Sequence, residues 1–243
     1  MGAVTNLLSS ATTANAASYV SASFTPSAND LLLVYTGATA TLNVPSLTDS
    51  QSLGFTLSTN SAFNSTAHMI TLWVANALAA ATAMTVTASY GADAATGHVF
   101  VVAGVSGISR TGLSAIKQVT GQRNQGAGAS PPDPVFAAAM TSSNVGVGFV
   151  SNNSSASTGD LAAPSGWTEA TRVEHATPSH HMAWAFINSG STLTTITWGG
   201  STSGFAVICA ELDDSSTGVG GQSTYGSASA DPGRHLLLMA RFA

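Results

Sequence analysis

Asp30-Leu31-Leu32-Leu33-Val34-Tyr35 returns 114 positions later as Asn144-Val145-Gly146-Val147-Gly148-Phe149. A Phe-led segment stands upstream of each, Phe24-Thr25-Pro26 in the first case and Phe136-Ala137-Ala138 in the second. Both are short apolar runs entered through a turn-favouring Asp or Asn, the signature of a buried strand. Outward from this pair, His68-Met69-Ile70 is echoed by His181-Met182-Ala183 and Thr85-Val86-Thr87 by Thr195-Ile196-Thr197. Gly97-His98-Val99-Phe100-Val101-Val102 is echoed by Gly204-Phe205-Ala206-Val207-Ile208-Cys209. These offsets are 113, 110 and 107. A steady fall is what loop deletions in a second copy produce, whereas chance matches scatter. Two copies of one unit are therefore expected, at about residues 18–108 and 134–213.

Apolar and polar residues alternate with period two in many short segments separated by Gly, Ser, Asn, Asp and Pro, which predicts antiparallel strands. The expected strands are 19–24, 31–36, 54–57, 68–75, 84–90 and 98–105 in the first copy. Those of the second are 135–139, 145–151, 167–173, 181–187, 193–198 and 205–212. The alanines of 77–83 suggest helix, but the segment is short and lies between two strand patterns, so it is read as a loop. The connection 107–134 holds a plausible strand at 113–119 and a Gly-rich loop at 121–132, with no clean linker. The expected fold class is thus all-β, an internally duplicated antiparallel β-sandwich occupying residues 1–214, with fusion of the copies preferred over two separate domains.

Composition narrows the function classes. Hydrophobic residues make up 44% of the 243 and charged residues only 7%, against roughly a quarter charged in an ordinary soluble domain. The regular apolar runs argue against disorder. None approaches the roughly 18 to 20 residues needed to span a bilayer as a helix, so no membrane partner is expected. The surface is left to Ser, Thr, Asn, Ala and Gly, which repel neighbours little. Net charge is -5, and the six basic residues Arg110, Lys117, Arg123, Arg172, Arg234 and Arg241 are scattered. Nucleic-acid binding, which needs clustered cations, is disfavoured. Cys209 is the single cysteine, so no internal disulfide forms, and its apolar surroundings predict a core residue. No basic segment followed by an apolar stretch opens the chain, so no secretory signal is expected.

Beyond Asp213-Asp214 the sequence turns into a Gly/Ser-rich arm, 215–243, that resumes in His235-Leu236-Leu237-Leu238-Met239. This resembles Asp30-Leu31-Leu32-Leu33-Val34 and predicts an extra C-terminal strand. One strand is not stable alone, so Leu236, Leu237, Leu238 and Met239 are expected to add to a sheet, either that of the same chain or that of a neighbouring subunit.

Motifs for catalysis are sparse. Neither a Gly-x-Ser-x-Gly elbow nor a phosphate loop ending in Lys-Ser/Thr occurs. Glycoside hydrolysis needs two carboxyl groups facing one cleft. Glu169 and Glu174 are separated by an odd number along a strand-like run, which predicts opposite faces. Glu174, His175, His180 and His181 form the one constellation of note, around the tip of a hairpin at Pro178. Imidazoles converging there would suit a metal, but adjacent histidines on a strand diverge, and a hairpin tip or subunit contact is the preferred reading. His68 and His98 are read as isolated and satisfied by hydrogen bonds. No catalytic, cofactor-binding or metal-binding residue is assigned, and no cofactor is expected. Trp73 and Trp184 are expected in the core. Trp167, after Pro164-Ser165-Gly166, and Trp198, before Gly199-Gly200, are expected to be partly exposed and are the candidates for stacking on a sugar.

The order Phe24-Thr25-Pro26, Asp30-Leu31-Leu32-Leu33, Thr48-Asp49-Ser50, Leu72-Trp73-Val74-Ala75-Asn76, Thr85-Val86-Thr87 and Ala103-Gly104-Val105-Ser106-Gly107 resembles jelly-roll-like β-sandwich modules in virion proteins of tailed bacteriophages. Pro164-Ser165-Gly166-Trp167-Thr168 is similar to their Pro-x-Gly-Trp-Thr turn. The resemblance spans roughly residues 18–213. It implies a non-enzymatic structural protein at the virion surface, a capsid decoration or cement protein, partnered by copies of itself, a trimer being favoured, and by other virion proteins such as the major capsid protein. The alternative it leaves is a tail, fibre or surface adhesin binding carbohydrate through exposed aromatics.

Overall fold

Leu31-Leu32-Leu33-Val34-Tyr35 lacks polar alternation because β3 (Leu31–Thr39) is buried on both faces along its whole length. An antiparallel strand reads this way only when both sides are covered. Leu31, Leu33 and Tyr35 enter a core shared with Val145, Val147 and Phe149, while Leu32, Val34 and Ala38 enter a second core on the opposite side. The structure, a computed structural model, describes residues 2–41, 43–63, 68–124, 132–153, 161–177, 179–200 and 204–213.

Every strand pairing within these residues is antiparallel, and the chain is an all-β sandwich. In the first sheet β1 (Ala3–Thr12), β8 (Gly97–Ser106), β3, β6 (His68–Asn76) and β5 (Thr56–Phe63) lie side by side in that order. The second sheet has β9 (Ile116–Asn124), β13 (Phe205–Leu212), β10 (Val145–Asn152), β12 (Ser179–Ile187) and β11 (Thr168–Ala176) in that order. A small third sheet holds β2 (Ser18–Val20), β7 (Val86–Ser89) and β4 (Ser46–Asp49). Among the described residues the sole helical element is one 3₁₀ turn, Gly112–Ala115.

The second sheet repeats the first strand for strand. The central core lies in the seam between the two five-stranded sheets. Small sheet and first sheet enclose the second core, with Tyr19, Leu47 and Val86 facing Leu32, Trp73 and Phe100. Over the outer face of the second sheet lie chain segments held by the isolated bridges Val135↔Thr195 and Ala162↔Gly199, enclosing a third core around Trp198.

Pairing fixes which residues are equivalent. Leu33 lies opposite Val74, and its counterpart Val147 lies opposite Phe186. The offset from β6 to β12 is therefore 112, one less than the sequence match indicates, and His68 corresponds to His180. Two adjacent histidines offer two alignments, and the wrong one turns every side chain of the strand to the other face. Tyr35 and Phe149 are equivalent and stack with centroids 4.5 Å apart. Their contact, and that of His68 with His180, marks an approximate two-fold axis lying in the seam.

Several expected strands differ. Segments 135–139 and 193–198 are not strands; Pro132 and Pro134 accept hydrogen bonds from Trp198 and Ile196 but have no N–H to return. β1 and β4 were not expected. In β1 a bulge between Asn6 and Leu8 breaks the alternation that identifies a strand. β9 begins after the 3₁₀ turn and continues through Gly121 to Asn124, where a loop was expected. The alanine-rich 77–83 is a loop. Residues 214–243, and with them Leu236, Leu237, Leu238 and Met239, lie outside the described residues.

Candidate functional site: a histidine cluster in the seam

Period-two alternation decides where each histidine goes. Ile70, Leu72 and Val74 of β6 face the seam, and so does His68. Met182 and Trp184 of β12 face it too, and so does His180, leaving His181 on the opposite side. His175 lies opposite His180 on β11. The His68 and His180 centroids are 5.2 Å apart and those of His175 and His180 are 5.3 Å apart. Phe63, paired with His68, stacks on it at 4.8 Å. Three imidazoles from both copies therefore meet at one end of the seam, all buried.

Room for them comes from missing side chains. A Cβ on Gly37 would sit 2.6 Å from the Met182 sulfur and 3.0 Å from His180 Nε2, and one on Gly97 would sit 2.7 Å from a carbon of the His175 ring. His180 Nε2 lies 2.9 Å from Ser151 Oγ, and His68 Nε2 lies 3.2 Å from the Ser179 carbonyl oxygen. The remaining nitrogens, Nδ1 of His68 and of His180, are buried with no hydrogen-bond partner among the described residues. Burial lowers the pKa of His68, helped by the nearby His175 and opposed by the Ser179 carbonyl. Burial also holds His180 well below the usual histidine range, with His68 and His175 adding to it. His68 and His180 are thus neutral at pH 7, because a charge there would lose its hydration.

The preferred hairpin-tip reading placed Glu174, His175 and His180 together. The hairpin forms, with His175 opposite His180 beside its turn, but Glu174 is exposed while the two histidines are interior. His68, read as isolated, belongs to the cluster. Correct alignment of His68 with His180 is the sequence signal that would have found it. His98 was expected to be satisfied by hydrogen bonds. It faces the second core instead, stacked on Tyr19 at 4.6 Å and against Phe100 at 4.2 Å, with both ring nitrogens lacking a hydrogen bond among the described residues. Burial pushes its pKa down to about 3.

Trp167 and Trp198 are not partly exposed. Trp167 retains 8% of its surface and Trp198 none, both in the core over the second sheet. Gly148, whose Cβ would lie 2.9 Å from the Trp198 ring, opens the space for that indole. Neither tryptophan offers a sugar a free face. Cys209 is buried as expected, and burial pushes its thiol pKa up to about 12.

The parity argument for Glu169 and Glu174 fails because a bulge lies between Glu169 and Thr171. Glu169 stands opposite Ala185, Arg172 opposite Ala183 and Glu174 opposite His181, so all three share the outer face. Four strand positions still separate the carboxylates by roughly 13 Å at the usual rise, beyond the spacing of about 5 to 9.5 Å that glycosidases use. Glu169 is paired with Arg172 at 2.6 Å. Among the described residues no three His, Cys, Asp or Glu side chains are placed to hold a metal ion. No family model, curated protein or solved structure matches this chain.

Proposed function

We propose that the protein is a structural component of an assembled particle, a decoration or cement protein at a virion surface that associates with copies of itself and with the major capsid protein. The observation that carries this reading is where the polar chemistry lies. The chain has few charges, its exterior is left to small neutral residues, and the five described histidines are all buried. Such a body suits close packing against partners better than turnover of a substrate. The strand order adds support: β1-β8-β3-β6 beside β2-β7-β4 has the chain alternating between two facing sheets, as in a jelly roll.

The test is the mass of the full chain in solution by light scattering at tens of micromolar, with a trimer, three times the 24.2 kDa chain, as the expected species. A chain that stays monomeric at that concentration, and fails to co-sediment with capsids of a phage encoding it, overturns the reading.

A further inference from the structure

The seam between the two five-stranded sheets is asymmetric along its length. At one end it is filled by Val4, Val105, Val145 and Leu212, all apolar. At the other end the two sheets meet through His68 from the first and His175 and His180 from the second. An imidazole is the one side chain whose ordinary pKa lies where modest acidification charges it. Three of them packed between two sheets would, once protonated, repel one another and demand water that the closed seam excludes.

Among the described residues nothing in the immediate surroundings offsets such a charge at His68 or His180. The facing groups are Phe63 from β5, Gly37 and Thr39 from β3, Gly97 from β8, Ser151 from β10 and Met182 from β12. The influences on these two rings are burial, a backbone carbonyl and other imidazoles, with no carboxylate among them. The charged side chains at this end of the adjoining strands, Glu174 on β11 and Arg123 on β9, are exposed, Arg123 donating to the Ala62 carbonyl oxygen at 3.4 Å. His98 and His181 take the opposite faces of their strands, and both lower the His180 pKa further.

We propose that this end of the seam is an acid-sensitive latch, in which proton uptake by His68 and His180 parts the two five-stranded sheets there while the apolar end stays packed. The direction follows from linkage. The closed form keeps His68 and His180 neutral and the open form lets them titrate near their ordinary value, so closure is fully favoured above about pH 6.5 and is lost as pH falls below it. Each proton taken up on opening makes the open form about tenfold more populated per pH unit.

Hydrogen exchange of the full chain, followed by mass spectrometry from pH 7 to pH 4.5 and corrected for the intrinsic pH dependence of exchange, tests this. Peptides covering 34–39, 68–72, 147–152 and 179–184 are expected to lose protection steeply below about pH 6.5, while those covering 3–6 and 101–106 keep theirs. His68→Phe removes one of the two titrating rings and should reduce the protons taken up on opening by one. His180→Phe is the second variant, with the same expected reduction, should the first fail to fold. Opening that does not depend on pH, protection lost equally at both ends, or an unchanged proton count in the variants would each overturn the proposal.

Discussion

At the entries to β3 and β10 the two copies close the same turn with carboxylates drawn from different strands. In the first copy the Asp30 N–H donates to the Ser27 carbonyl oxygen and the Ser27 N–H donates back to Asp30 Oδ2 at 3.1 Å. In the second the Asn144 N–H donates to the Thr141 carbonyl oxygen, but the Thr141 N–H donates to Glu211 Oε1 at 2.8 Å, on the neighbouring strand. Position 104, equivalent to 211, is a glycine, and a Cβ there would lie 2.8 Å from Asp30 Oδ2. The two arrangements exclude each other, Asp30 with Gly104 or Asn144 with Glu211. What the turn requires is an acceptor at one point in space, and the fold does not dictate which strand supplies it.

The two acceptors are not equal in what depends on them. Glu211 also accepts from Asn144 Nδ2 at 2.7 Å, pairs with Lys117 at 3.2 Å and accepts from Gln118 Nε2. Gln118 in turn donates to the Ala138 carbonyl oxygen and accepts from the Ala138 N–H, tying down the segment that leads into the turn. Replacing Glu211 by Ala strands several buried donors at once and should cost about 3 to 5 kcal/mol. Asp30→Asn keeps an acceptor for Ser27 and removes a carboxyl whose pKa burial raises, so it should change stability by less than about 1 kcal/mol at pH 7. Urea unfolding of the two variants side by side decides it, and equal losses would break the comparison.

The same equivalence sharpens the acid response. His98 stands where the second copy has Phe205, and both are buried. With a folded pKa of about 3 against an ordinary 6.5, His98 stays neutral at pH 5 while the unfolded chain takes up a proton. Stability present above about pH 6.5 is therefore lost as pH falls, by about 2 kcal/mol per such histidine at pH 5. His98→Phe should leave the urea midpoint at pH 7 nearly unchanged and recover about that amount at pH 5. An equal shift at both pH values would mean that packing, not protonation, distinguishes the two residues.

At the two-fold axis Tyr35 faces Phe149, and the Tyr35 hydroxyl is buried with no hydrogen-bond partner among the described residues. Tyr35→Phe makes the pair symmetric and relieves that hydroxyl, so it should stabilise by about 1 kcal/mol. Thermal unfolding reads the gain. A loss instead would show that the hydroxyl is satisfied in solution.

The strand class was legible because most strands alternate or run apolar for five or more residues, and the duplication because the motif offset falls steadily from 114 at β3 and β10 to 107 at β8 and β13. Equivalence of β6 and β12 was not, since His181-Met182 repeats His68-Met69 in sequence while the strand pairing selects His180. β1 escaped notice because its bulge interrupts the period. The histidine cluster was half visible. His175 and His180 stood out by proximity, but His68 comes from the other copy, and only the fold brings it across. Exposure of Trp167 and Trp198 was inferred from neighbouring glycines; those glycines mark tight turns, and a turn can deliver an indole inward as readily as outward.

The outer edges show how little a surface charge adds where the backbone already agrees. β5 carries a bulge between Leu57 and Thr59, and β11 carries one at the equivalent place, between Glu169 and Thr171. A bulge kept in both copies is part of how each edge bends. The side chains beside it differ. Leu57 packs against the second core, whereas Glu169 pairs with Arg172 across the bulge, with both side chains about a third exposed at 32% and 30%. Glu169 is held below the usual carboxylate range chiefly by its hydrogen bond from Arg172. In solvent such a pair is screened and its two long side chains resist fixing, so Arg172→Ala should cost no more than about 0.5 kcal/mol. Repeating the unfolding in 1 M salt should shrink even that difference. A loss several times larger, insensitive to salt, would mean that the ion pair itself holds the β11 edge, and that the two edges are built on different principles despite their common bend.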